Sequence, residues 1–216
     1  MAEIGAGLIN PSAGNHPVTS DAREIAASVA AGERSWREVP YYEARYGGRG
    51  RMFGHSDSAW LSLISEAPQA QVNAEVMWLG SVLSSRGMPQ ILMEWHLGWL
   101  HQELCAAIPE NRERYARLLA AAETLRALRE SQISPAFASR LADEFYQRVG
   151  QEWSRRFPEM GALLVSAAAD ERLGIGRAVE ALEEFAIDPR RFPPAWIEAV
   201  RHTLRQARGG VVSAPA

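Results

Sequence analysis

Gln90 to Ile108, QILMEWHLGWLHQELCAAI, is the stretch on which the fold turns, because apolar residues occupy both of its faces. A surface helix keeps a single apolar stripe, whereas one apolar all round is packed on every side. Pro89 stands where a first-turn proline belongs. The spacing therefore predicts a buried central helix, and the other elements are read as its neighbours.

Upstream, Val72, Val76, Leu79 and Leu83 share one face of a helix that begins near Pro68 and stops at Gly87. Ser56 is placed to cap the helix of SDSAWLSLISEA, and Thr19, Ser20 or Asp21 to cap a first helix reaching about Ala31. The intervening residues 33–54 mix aromatics, Arg and Gly and read as an irregular loop. Downstream, Pro109 opens a helix striped by Tyr115, Leu118, Leu119, Ala122, Leu125 and Leu128. Ser134 and Pro135 begin the next, which ends before Pro158. Two helical pieces follow to Ile187, broken near Gly174 and Gly176, and Pro193 or Pro194 starts a last helix ending at Gly209. Alternation of the β type is almost absent. The expected fold class is all-α, a compact bundle of seven to eight helices with a buried central helix.

The chain has 216 residues, enough for one cored domain and short for two. Residues 1–20 are rich in Gly, Pro and small polar residues and read as a flexible tail. The same reading covers 209–216, leaving 21–208 as a single helical domain. Its one Cys cannot form an intrachain disulfide, which fits a reduced compartment. Residues 1–20 hold no basic residue and no apolar run of signal-peptide length, and no segment approaches the roughly 20 apolar residues of a membrane span. A cytoplasmic protein with no membrane partner is expected. All 23 basic residues are Arg, against 26 acidic ones, a formal charge of −3. That balance opposes generic nucleic-acid binding.

The chemistry worth following lies on the central helix. At about 100° per residue, Leu92, His96, Trp99 and Glu103 share one face, and Glu94, Leu97, His101, Leu104 and Cys105 share roughly the opposite one. Ionisable groups in a buried helix need partners. One reading pairs each within the core. A second makes His101 and Cys105, spaced i, i+4, ligands of a transition metal, or one histidine the axial ligand of a haem. A third is acid–base work by His96 with Glu103. The sequence lacks H-E-x-x-H, paired C-x-x-C and E-x-x-H motifs.

Ahead of the Ser56 cap, residues 45–57 (RYGGRGRMFGHSD) combine Arg45, Arg49, Arg51 and His55 with four glycines. Freed backbone amides and guanidinium forks suit a phosphate or carboxylate. Trp60, Trp78, Trp95 and Trp99 fall in three consecutive expected helices and could wall a site for a flat ligand. Trp36, Tyr41, Tyr42 and Tyr46 in the irregular stretch suit a lid or partner surface. The expected ligand set is accordingly Arg45, Arg49, Arg51, His55, Trp60, Trp78, His96, Trp99 and Glu103. With no nucleophile constellation, the functional expectation is a non-catalytic α-helical module, a sensor or accessory subunit, that binds a small molecule or a protein partner. The alternative is a metal- or haem-binding helical protein with redox or gas-sensing activity. The oligomeric state is left open.

Overall fold

A computed structural model describes residues 4–209. The chain is all-α. Among the described residues there are nine α-helices: α1 Ala22–Glu38, α2 Pro40–Ile64, α3 Gln69–Ser84, α4 Gln90–Ala107, α5 Arg112–Gln132, α6 Pro135–Arg156, α7 Met160–Arg172, α8 Ala178–Ala186 and α9 Pro194–Gly209. Both pieces expected between Pro158 and Ile187 are separate helices, so the count passes the seven or eight anticipated. Positive φ at Gly174 and Arg177 divides them. Two short strands, β1 Ile4–Gly5 and β2 Pro17–Val18, pair antiparallel. The C-terminal tail expected from residue 209 lies, past Gly209, outside the described residues. No described helix is long and apolar enough to cross a membrane.

The chain divides into two compact units. One holds the described residues up to Met77 together with Glu94–Thr124, and the other holds Trp78–Met93 and the residues from Leu125 onward.

In the first unit α1 and α2 lie antiparallel in close contact. Small side chains make this possible: Ala27, Ser28, Ala31, Gly32 and Ser35 on α1, and Ser58, Ala59 and Ser62 on α2, are all buried. Ser28 and Ser62 hydrogen-bond across the pair at 2.8 Å. Among the carboxylates buried in the same unit is Glu24, at 2% exposure. A charge taken from water needs matched partners, and here Arg114 pairs with it, Thr19 donates to it, and the Tyr115 hydroxyl donates at 2.7 Å.

Two expectations need correcting in this unit. Residues 33–54 are not a loop: α1 runs through Glu38, and α2 starts at Pro40, one residue later. Of the glycines in that stretch, Gly47 alone leaves helical geometry, with φ 54° and ψ −160°. Gly48, Gly50 and Gly54 stay helical at a cost of about 1 kcal/mol each, offset by contact at Gly50 and Gly54 and not at Gly48. A Cβ at Gly54 would stand 3.1 Å from the Trp36 ring, and one at Gly32 2.7 Å from His55. Nor are residues 4–19 a loose tail. Ala6 and Val18, both buried, pack with Ala59, against which Trp60 and Ile9 also lie. The backbone is held by Ala6 N–H to His16 O at 2.9 Å and Thr19 N–H to Ala59 O at 3.4 Å. Composition hid this because a few small apolar residues sufficed to anchor the hairpin.

The second unit has an aromatic centre. Phe145, Trp153, Phe157, Phe192 and Trp196 form a chain of ring contacts with centroids 4.8–6.5 Å apart. Fully buried Trp196 donates its indole N–H to Ala186 O at 2.9 Å. Polar side chains then finish the helix ends. Arg172 of α7 donates to Gln132 O at 2.7 Å and to Ala207 O at 2.6 Å, satisfying the carboxyl ends of α5 and α9. Asp170, with no exposed surface, accepts from Gln90 N–H at 2.9 Å and from the Ser84 hydroxyl at 2.6 Å. One turn back along α7, Ser166 Oγ accepts from Ile91 N–H at 3.3 Å. The first amides of α4 are thus capped by another helix, where a carboxylate also meets the positive end of the helix dipole.

Asp170→Ala leaves two buried donors unmet and is expected to lower unfolding stability by roughly 2–4 kcal/mol, read from the urea midpoint. Asp170→Asn, which keeps an acceptor in place, is expected to cost less. An unchanged midpoint for the alanine variant would contradict this assignment.

Candidate functional site

The residues selected on α4 separate once their partners are known. His96 lies between α1 and α2: Ser35 Oγ is 2.8 Å from Nδ1 and Ser58 Oγ 2.9 Å from Nε2. A neutral imidazole donates through one nitrogen and accepts through the other, so one serine accepts from the ring and one donates to it. Burial holds the ring's pKa down at about 4, so it is neutral at pH 7. The two hydroxyls are 3% and 0% exposed. A serine so enclosed cannot meet a substrate, and the triple tie joins three helices instead. Glu103, the carboxylate considered as its catalytic partner, lies 3.6 Å from Arg34, whose guanidinium also covers the Trp99 ring.

The arginines and His55 expected to receive an anion are turned toward groups of the chain itself. Arg51 pairs with Glu33, and His55 Nε2 lies 2.8 Å from the same carboxylate. Arg51 chiefly, helped by His55 and opposed by desolvation, holds Glu33 at a pKa of about 2. Arg45 donates to the Tyr41 hydroxyl at 3.0 Å and covers the Tyr46 ring, while Arg49 covers Phe53. Tyr41 and Tyr42 are buried, and Tyr42 stacks on Trp36 with centroids 4.6 Å apart. These aromatics are core and not a lid.

His101 Nε2 and Cys105 Sγ are 3.3 Å apart, as an i, i+4 pair allows. Burial lowers the imidazole's pKa, assisted by Arg112, and raises the thiol's, so both are neutral at pH 7. Among the described residues no group of three or more His, Cys, Asp and Glu side chains is arranged to hold a metal ion. The tryptophans have different surroundings. Trp60 packs under the β1–β2 hairpin, Trp99 under Arg34, and Trp78 is 59% exposed.

A cavity lies elsewhere, within the second unit. It is partly open to solvent, holds about 250 Å³ and is lined by Ile91, Arg129, Ile133, Ala138, Ser139, Ala142, Ala162, Val165, Ser166 and Ala169. The first turn of α4, the end of α5 with the residue that follows it, the start of α6 and most of the length of α7 supply these residues. Alanines make the space: Ala138 and Ala142 face Ala162 and Ala169 where larger side chains would close it. Ile133, Val165 and Ile91 give an apolar wall, interrupted by two serines and one guanidinium. None of the residues chosen from the sequence lines it. The signal that could have found it is the repeated small residue on two helices, at Ala138 and Ala142 and at Ala162, Ser166 and Ala169, but such spacing equally describes tight helix packing.

The chain matches no known protein-family model, no curated protein and no solved structure. The geometry alone therefore bears on function.

The His96 tie has a pH consequence. Because its pKa is about 4 folded against 6.5 for an ordinary histidine, the unfolded chain takes up the proton first. The stabilisation is complete above pH 6.5 and is lost as pH falls toward 4, by about 3 kcal/mol in all. Urea unfolding at pH 7 and pH 4.5 is expected to show this loss, and His96→Asn to shrink it. Equal pH dependence in both proteins would contradict the neutral, enclosed ring. The Glu33 contribution has the same sign but belongs to the interval from about 4.5 down to about 2.

Proposed function

We propose that this chain is a non-catalytic α-helical module that binds a small, largely apolar molecule in the α4–α5–α6–α7 cavity, as a cytoplasmic sensor or accessory subunit. The observation that carries the reading is the cavity itself. A close-packed interior leaves few voids larger than a water molecule, whereas this hollow, partly open to solvent, measures about 250 Å³. An engineered apolar cavity of about 150 Å³ takes up benzene, so the space suits a molecule of one ring with a short substituent or a chain of about eight carbons. Binding sites of this kind are mainly apolar, with a few polar groups that orient the ligand, and Arg129, Ser139 and Ser166 supply those.

Among the described residues, the state of the hydroxyls and the thiol that lie beside imidazoles supports the non-catalytic part. Ser35 and Ser58, the hydroxyls next to His96, are buried, and the Cys105 thiol is protonated at neutral pH. The metal or haem alternative gains nothing comparable: the His96 nitrogens are both engaged by serines, and His55 and His101 lie against Glu33 and Cys105.

A ligand that favours the folded state raises apparent stability, by about 2.7 kcal/mol at 100 times its Kd. Thermal unfolding of the full chain against indole, benzyl alcohol, 1-octanol and octanoate is expected to show an upward shift with at least one of them. Ala138→Phe, at a half-buried cavity wall, is expected to abolish the shift while preserving the fold by circular dichroism. No shift with any of the four, or a shift unchanged in Ala138→Phe, would overturn the proposal.

A further inference from the structure

We infer that the molecule held in the cavity is a neutral carbonyl compound, a ketone, aldehyde or ester of small apolar build, whose oxygen accepts the proton of the Ser166 hydroxyl. This rests on the ligand-binding reading of the cavity and adds the chemical class of what enters it.

Ser166 differs from the other buried serines in what its hydroxyl does. A hydroxyl has one proton to give and two lone pairs to offer. Ser56, Ser62 and Ser65 donate to backbone carbonyls, and Ser84 donates to Asp170. Ser28 faces Ser62, whose proton is already given to Ser58 O, so Ser28 is the donor of that pair. Ser35 and Ser58 are tied to His96 and to backbone carbonyls. Ser166 is buried as deeply, at 2% exposure, and its Oγ accepts from Ile91 N–H at 3.3 Å. Among the described residues its own proton meets no acceptor. A buried donor without an acceptor is costly. This one stands on the cavity wall, where a ligand oxygen would satisfy it.

The same wall decides the kind of oxygen. With one Oγ lone pair serving Ile91, the unclaimed part of the group is its proton, and a carbonyl oxygen accepts it without bringing a donor that would itself need burial. A charged head finds no comparable place. Arg129, the one charged residue among the described residues of the lining, is ion-paired with Glu130 at 3.7 Å and is engaged within the chain. A carboxylate seated at Ser166 would leave water for a single neutral donor, and a buried charge needs more than that. Ile91, Ile133 and Val165 offer the aliphatic surface against which the rest of the molecule lies.

Acetophenone and α-methylstyrene have nearly one shape and differ in C=O against C=CH2, while benzoate puts a charge into a similar outline. Each is titrated calorimetrically into the full chain at pH 7.5, and the carbonyl stretch of bound acetophenone is read by infrared spectroscopy. Ser166→Ala is expected to weaken acetophenone about fivefold, as loss of one neutral hydrogen bond implies, and to leave α-methylstyrene unchanged. The stretch, lowered by the hydrogen bond in wild type, is expected to rise in that variant. Benzoate is expected to bind at least about tenfold more weakly than acetophenone. An equal effect of Ser166→Ala on acetophenone and α-methylstyrene, or a wild-type stretch at its value in hydrocarbon solvent, would overturn the carbonyl assignment. Loss of both compounds in Ala138→Phe would then leave the ligand-binding reading standing. Benzoate binding as tightly as acetophenone would overturn the neutral class. If none of the three binds, the carbonyl assignment falls, and the ligand-binding reading falls with it where indole, benzyl alcohol, 1-octanol and octanoate fail as well. Where Ser166→Ala does not fold, Ser166→Cys, a weaker donor, is expected to raise the stretch part of the way, and a stretch unchanged in Ser166→Cys would overturn the assignment.

Discussion

One buried carboxylate organises the part of the molecule to which a function is assigned here. Asp170, with no solvent exposure, accepts the Gln90 amide and the Ser84 hydroxyl, and so joins α7 to the start of α4 and the end of α3. A helix N-terminus carries amides with no partner of their own, and an anion brought from a second helix satisfies them only at a fixed distance and angle. Ser166, one turn away on the same face of α7, makes the neighbouring contact with Ile91. Ile91, Ser166 and Ala169 line the cavity, and Asp170 follows the last of them directly. The side chain that caps the helix therefore also sets the spacing of the cavity walls.

Several other chemistry-bearing residues serve the fold. Glu24 with Arg114, Glu33 with Arg51 and His55, and His96 with two serines are three separate solutions to burying or half-burying an ionisable group. Each joins helices: α1 to α5, α1 to α2, and α4 to both α1 and α2. Arg172 performs the complementary task at carboxyl ends. The exclusive use of Arg is consistent with such roles, since a guanidinium can reach two acceptors at once as Arg172 and Arg114 do.

The all-α architecture was legible because proline and capping residues mark most helix starts and apolar spacing marks their faces. Asp21 and Ser134 cap as the sequence suggests. The Arg-Gly stretch misled for a physical reason: glycine weakens a helix by itself, and the compensating contact with Trp36 is made across another helix and leaves no local trace. The hairpin at residues 4–19 was obscured in the same way, since Ala59 and Trp60 anchor it from far along the chain. The candidate site was the least legible part. Histidine and tryptophan draw attention in a sequence, yet here they are absorbed by the core or its surface, while the cavity is made by alanine, which signals nothing on its own.

Assigned amide chemical shifts on titration with acetophenone bear on the central claim most directly. The account predicts changes concentrated at Ile91, Ile133, Ser139, Ala142, Ser166 and Ala169, with His96 and its serines undisturbed. Changes scattered over the surface, or gathered around His96 and Arg51 instead, would contradict it.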